Sequence, residues 1–218
     1  MSAWWRAALE LLLPSACAGC GRAVAERPLC AACRPAPAPA LPAPPAPLAA
    51  WCAAIAHTGA GAEWVRRFKY PRPGLAGLDL AAEAVALGLA RAQARCVPGG
   101  PPALVVPVPL HPRRLRERGF SPAASLARAL AREARVPVAP VLLARLRDTP
   151  SQTHLSRGAR RANVAGAFAP RRPAPARVWL VDDVATTGST LAEAAAALRR
   201  AGAREITGVC LAWRPLLG

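Results

Sequence analysis

The sequence predicts an α/β fold, a parallel sheet flanked by helices, with a small cysteine-rich module in front of it. From residue 51 onward, apolar strand-like runs alternate with helix-like stretches, the pattern of a parallel sheet covered by helices. Four of the seven cysteines fall within residues 15–34. Between these parts lies "RPAPAPALPAPPAPLAA", 34–50, a Pro/Ala run expected to be semi-rigid and extended. The expected division is therefore 1–34 for an N-terminal helix and four-cysteine module, 35–50 for a linker, and 51–218 for the α/β domain.

At the N-terminus, Trp4, Trp5, Ala8, Leu9 and Leu12 share one side at helical spacing, and Pro14 stops the run. Glu10 interrupts what would otherwise resemble a secretory leader, so an amphipathic helix is expected. "WCAAIAH" at 51–57 is a candidate strand. Residues 75–96 read as a helix with Leu75, Leu78, Ala82, Val85 and Leu89 on one face. "ALVVPVPL" is a short buried strand ending in prolines. "SPAASLARALAREA" opens with Ser121 as N-cap and Pro122 at the first helical position. Residues 144–170 turn polar and arginine-rich without a sustained period, and a connection that long inside a compact domain is more often functional than idle. "RVWLV", 177–181, is a strand; a helix from Thr190 to about Ala201 follows, with Thr190 and Glu193 as a capping box and Gly202 beyond its end. "EITGVCLAW" closes as another buried strand.

Charge narrows the partners. The 218 residues carry a net charge of +17, with one lysine among 29 basic residues and hydrophobic residues at 53%. A charge of that size matches phosphates, nucleic acid or a membrane surface, although solvated arginines from biased composition contribute to it. No run approaches the length of a membrane span, so a soluble, cytoplasmic protein without membrane insertion is expected.

Cys17-x2-Cys20-x9-Cys30-x2-Cys33 suits a structural zinc ion, because each Cys-x2-Cys knuckle supplies two thiolates from one tight turn. Two disulfides are the alternative, disfavoured in a reducing compartment. Four thiolates would close the coordination sphere, so the module staples a small fold and catalyses nothing. Cys52, Cys96 and Cys210 lie in apolar contexts and are expected in the core.

The densest chemistry is in "VWLVDDVATTGSTLAEAAAALRRAGA". After the strand, Asp182 and Asp183 lead through Val184 and Ala185 to Thr186, Thr187, Gly188, Ser189 and Thr190 at a helix start. Backbone amides at that start, several hydroxyls and a close-approach glycine make a phosphate cradle. Two desolvated carboxylates are costly unless something binds them. They suit the hydroxyls of a ribose and any magnesium that accompanies it, so the ligand implied is a sugar phosphate. Neither a Gly-x-Gly-x-x-Gly nor a Walker Gly-Lys is present.

This stretch resembles the 5-phosphoribosyl-1-pyrophosphate (PRPP) signature of the type I phosphoribosyltransferases. The resemblance implies that the acidic pair faces the ribose 2- and 3-hydroxyls and that Ala185 to Thr190 hold the 5-phosphate. Members acting on free purine bases often carry Asp where Thr186 stands, so that class is not implied. "RFKYPRPG", "VVPVPLHPRRLRERGFSPAASLARAL", "RLRDTPSQTHLSRGARRANVAGAF" and "VDDVATTGSTL" come in the order seen in the ComF competence family, whose members also begin with a four-cysteine zinc module. Two departures stand out: Ser121-Pro122 replace the family's usual Asn-Gln, and Ala159 replaces a common Glu.

The resemblance also implies a pyrophosphate loop after the first core strand, with Arg118-Gly119 in that role. Arg113, Arg114 and Arg116 either assist or are solvated. Lys69 is the lone lysine in an arginine-rich chain. Either it is a chance survivor or it contacts pyrophosphate or the developing charge, where a compact ammonium is required. Gln152, Arg160 and Asn163 belong to the polar connection, which the resemblance makes a mobile lid, with Asn163 alternatively a turn residue. The expected function is pentosyl transfer from PRPP with magnesium to an unnamed acceptor, linked to DNA uptake and natural transformation. The alternative is a non-catalytic PRPP- or nucleotide-binding adaptor for single-stranded DNA or a competence helicase.

Overall fold

The computed structural model describes residues 17, 20, 22, 29–70, 86–91, 93–148 and 164–215. The expected N-terminal helix, most of the 75–96 helix, and Gln152, Arg160 and Asn163 lie outside the described residues.

Four parallel strands form the central sheet: β1 (Ala50–Ala56), β2 (Leu104–Pro107), β5 (Arg177–Ala185) and β6 (Glu205–Trp213). Their order is β1-β6-β5-β2. All four arise where the sequence places a strand, because each is a short apolar run, deeply buried in β2, β5 and β6 and only in part at the edge strand β1. β5 is longer than expected. Pairing with β6 continues through Asp182 opposite Cys210 to Ala185 opposite Trp213, so the acidic pair sits within the strand rather than after it.

One face of the sheet packs against α1 (Gly59–Lys69), α3 (Pro122–Ala134) and the helical residues 86–91, 93 and 94. The sequence reading missed α1, although Gly61, Trp64, Val65 and Phe68 bury one side at helical spacing. At Gly61 a Cβ would overlap Ala56 O, so only glycine lets the helix lie this close to β1. α3 forms as expected, with Ser121 Oγ accepting from the Ala124 amide at 3.3 Å. Ala86, Ala90 and Gln93 are buried, and Gln93 donates to Cys210 O at 3.0 Å.

The other face packs against α4 (Ser189–Arg200) and a two-stranded antiparallel sheet of β3 (Leu143–Arg145) and β4 (Phe168–Pro170). These two strands occupy the two ends of 144–170, the stretch expected to be a polar connection without a sustained period. α4 also begins differently from expectation. Gly188, at φ 74°, is its N-cap, and no capping box forms because Glu193 Oε1 accepts instead from the Gly166 amide at 2.8 Å. Of the three cysteines expected in the core, Cys210 is buried, Cys52 is half-buried, and Cys96 is exposed at a turn.

The Pro/Ala segment is extended and docked. It pairs antiparallel with β1 through Pro37 and Ile55, and Trp51 Nε1 donates to Pro42 O at 2.7 Å. This covers part of an edge strand that would otherwise present unpaired backbone groups.

Candidate sugar-phosphate site

A cavity of about 760 Å³ opens at the carboxyl ends of β1, β2, β5 and β6, where open parallel sheets place their ligand sites. Lys69, Arg118, Asp182, Asp183, Ala185, Thr186, Gly188, Ser189 and Thr190 all line it. Four elements thus bring most of the expected site residues to one place. Thr187 and Gly119 are not on its wall. Thr187 Oγ1 accepts from the Ser189 amide at 3.3 Å and lies 2.6 Å from Ser189 Oγ, which shapes the turn from behind. Gly119, at φ 81°, caps α2 (Pro112–Arg118). The expected pyrophosphate loop is therefore the end of a short helix, begun by His111 and Pro112.

Successive strand residues face opposite sides of a sheet. Asp182 follows Val178 and Leu180 toward the α4 and β3–β4 side, where its register partner Cys210 packs; Asp183 follows Trp179 and Val181 toward the α1 side. The two carboxylates therefore face different layers, although the charge of Lys69 reaches both. Lys69, the last residue of α1, places Nζ 2.8 Å from Asp183 Oδ1. Arg145, the last residue of β3, contributes the attraction of its charge to Asp182 and has its guanidinium carbon 5.5 Å from the Phe168 ring centre. Burial, reinforced by the Asp183 charge, pushes Asp182 up to about 7, while Lys69, the Asp183 amide and Arg145 pull the other way. That amide donates to Asp182 Oδ1 at 2.8 Å.

Sequence reasoning missed four further residues on the wall: His57, Arg145, Arg214 and Tyr70. His57 directly follows β1, and burial lowers its pKa, with Lys69 and Arg214 acting in the same direction. Its only sequence signal was being one of three histidines. Tyr70 is 57% exposed and carries Arg118 over its ring at 4.8 Å, with Arg118 Nη2 also donating to the phenol oxygen at 3.0 Å. Beyond them a basic shelf of about 470 Å³ continues past Arg113 and Arg114 to Asp148. Asp148 lies 3.3 Å from Arg114 and 3.6 Å from Arg113.

Away from the cavity, the sulfurs of Cys17, Cys20, Cys30 and Cys33 all lie within 4.8 Å of one another. Cys20 Sγ and Cys30 Sγ are 3.8 Å apart, and the Cys30 amide donates to Cys17 Sγ at 3.3 Å. Tetrahedral zinc with Zn–S bonds of about 2.3 Å separates its sulfurs by roughly 3.8 Å. All four cysteines are free, so the disulfide alternative is not what forms. Burial and its three thiol neighbours push Cys33 up to about 12. Thiolates gathered this way need a cation, and the donor set fits a metal such as zinc.

The model of the family described as "Phosphoribosyl transferase domain" matches residues 115–215. Competence protein F of Haemophilus influenzae is 39% identical over 113 residues, covering 48% of this chain and 48% of that protein. DNA utilization protein YhgH of Escherichia coli K12 is 39% identical over 111 residues, covering 50% of this chain and 49% of that protein. The chain thus spans about half the length of the curated relatives it matches. Among solved structures, glutamine PRPP amidotransferase from B. subtilis, complexed with ADP and GMP, aligns at a TM-score of 0.44 and 18% identity, over 67% of this chain and 30% of that one. Among the described residues no helix is long and apolar enough to cross a membrane. The family match runs through all of β5, the turn and α4, so the similarity to phosphoribosyl transferase domains and the wall of the cavity fall on the same residues.

Proposed function

We propose that the cavity binds PRPP and that the protein is a cytoplasmic phosphoribosyltransferase linked to DNA uptake and natural transformation, as the names of its relatives suggest. One observation carries this: the acidic pair, the turn from Ala185 to Thr190 and Lys69 share one wall. In this reading the 5-phosphate rests on the turn and the start of α4, where helix amides and dipole favour an anion. The ribose diol donates to Asp182 and Asp183. Pyrophosphate departs toward Arg118 and Lys69, with Gly119 shaping the end of α2 behind Arg118. Gln152, Arg160 and Asn163 supply the lid that excludes water.

The chain's own residues hold and orient the sugar, and charge stabilisation does most of the work as the anomeric bond loosens. Asp183 Oδ1 is engaged by Lys69 and Asp182 Oδ1 by the Asp183 amide, so the second oxygen of each carboxylate is the one that would accept from the diol or hold a magnesium ion arriving with the substrate's phosphates. Such an ion would neutralise charge on the leaving group. His57, held toward its neutral form, is the wall's candidate proton acceptor for an incoming nucleophile.

The test is calorimetry with PRPP and magnesium on the parent and on Asp182→Asn/Asp183→Asn, followed by a search for released pyrophosphate across candidate bases. Binding lost in the double variant supports the site. Equal binding by both proteins removes it.

A second reading is a non-catalytic adaptor for single-stranded DNA or a competence helicase. The exposed Tyr70 and the arginines of the shelf favour it, because an aromatic ring among cations suits stacked bases and a phosphate backbone. Oligonucleotide affinity should then fall steeply with salt. A flat titration, with PRPP bound and pyrophosphate released, leaves only the enzyme.

A further inference from the structure

The turn that lines the cavity is held from outside by residues lying far from it in sequence. Trp213 Nε1 donates to Thr186 O at 3.1 Å, and the Arg214 amide donates to Ala185 O at 2.8 Å, so the end of β6 fixes the first half of the turn. The second half is fixed by the proline segment. A Cβ on Gly188 would lie 2.6 Å from Pro45 Cγ and 3.1 Å from Trp51 Cζ3, so both side chains are packed directly onto that glycine. Trp51 in turn holds the segment by donating to Pro42 O at 2.7 Å. Gly188 is the left-handed N-cap of α4, so pressure on it sets the direction of the amides that follow.

We infer that Trp213, Trp51 and Pro45 are positioning residues for the sugar phosphate. They pre-form the turn so that no ordering is needed when the phosphate arrives. This rests on the reading of the turn as a phosphate site and adds to it a place for residues 42–51, which precede the 115–215 span of the family match. None of the three touches the ligand. Their effect belongs to the phosphate end of the substrate and not to its pyrophosphate end, because Arg118 and Lys69 come from α2 and α1 and are held by Tyr70 and Asp183 instead.

Calorimetry with two simple probes, ribose 5-phosphate and inorganic pyrophosphate, separates these ends. The variants are Trp213→Phe, which keeps a ring but removes the N–H donor, and Pro45→Ala, which removes the atoms packed on Gly188. Each should bind ribose 5-phosphate roughly three- to tenfold more weakly, the loss expected for one hydrogen bond or its packing equivalent, and bind pyrophosphate as the parent does. Melting curves on the same samples register any general loosening. Unchanged ribose 5-phosphate affinity in both variants overturns the clamp, as does an equal loss for both probes. If the parent binds PRPP but not ribose 5-phosphate, the clamp fails while the proposed function stands. If the parent binds neither, both fall.

Discussion

Replacing Asp182 by Asn should stabilise the protein at pH 8 while removing its ligand. Asp182 rises in the folded chain from an ordinary 3.8 to about 7, chiefly through burial and then through the charge of Asp183. The folded state therefore holds a proton there that the unfolded state releases at a lower pH. Stability from this group is fully present below about 4, declines as pH rises, and is gone above about 7. Three units at 1.36 kcal/mol each set an upper bound of about 4 kcal/mol, and about 2 kcal/mol of it falls between pH 5 and 7. Asn resembles the protonated acid and still accepts from the Asp183 amide, so the variant should lack this decline. The groups that face Asp182 are Asp183, Lys69 and Arg145, and all three remain in the variant. Burial of His57 pushes stability the opposite way near its own pKa, and comparing parent with variant cancels that contribution. The assay is thermal and urea unfolding of both proteins at half-unit steps from pH 5 to 8.5. The gap between them should widen by about 3 kcal/mol, or roughly 6–12 °C in Tm for a domain of this size. A gap independent of pH, or one that closes as pH rises, would refute the assignment of a raised pKa to Asp182.

Three further perturbations test other parts of the account. Lys69→Met leaves Asp183, whose side chain is only 13% exposed, without its cation, and should cost about 1–3 kcal/mol in urea unfolding. Lys69→Arg keeps the charge, so it should unfold like the parent yet bind pyrophosphate more weakly; equal binding of PRPP with intact turnover would end the proposed role of Lys69. Gly188→Ala places a side chain at φ 74° and against Pro45, and should destabilise by about 1–3 kcal/mol while weakening sugar-phosphate binding. Metal analysis should find one zinc per chain, and a chelator should expose the four clustered cysteines to a thiol reagent. If those thiols react fully before chelation and no metal is found, the zinc assignment fails.

What the sequence made legible follows the strength of its local signals. The four central strands are apolar runs and α3 carries both an N-cap and a first-turn proline, so all five were readable, although the acidic pair hid the true end of β5. α2 buries none of its residues, so it has no apolar period; only His111-Pro112 at its start and Gly119 at its end mark it. α1 opens on Gly59 and Gly61, poor helix formers whose cost is offset by packing against β1 that no local reading contains. β3 and β4 are three residues each, too short for an alternation to register. The same division holds at the site. Residues 182–190 are contiguous and announce themselves, whereas His57, Arg145 and Trp213 reach the turn or the cavity from three other elements. Lys69 was singled out by its rarity alone. Its partner, Asp183, could be known only once α1 was known to end there.

The paired aspartates show why adjacency in sequence need not mean equivalence in chemistry. Because the strand continues through them, the pleat turns Asp182 toward the side of β3 and Arg145 and Asp183 toward the side of α1 and Lys69, so their surroundings differ although Lys69 and Asp183 both still act on Asp182. Had the strand ended at Val181, as the sequence reading held, both carboxylates would have belonged to one loop and shared one environment. The three extra paired positions, Asp182 opposite Cys210, Val184 opposite Ala212 and Ala185 opposite Trp213, prevent this, and they also bring Trp213 to the carbonyl of Thr186. A single feature, the length of β5, thus differentiates the acids proposed to face the diol and anchors the turn proposed to hold the phosphate. It follows that a proline at Val184, which would break the ladder at that pair, should disturb both ends of the sugar at once. Such a variant should lose ribose 5-phosphate binding together with the pH-dependent stability of Asp182, whereas clamp variants lose only the first.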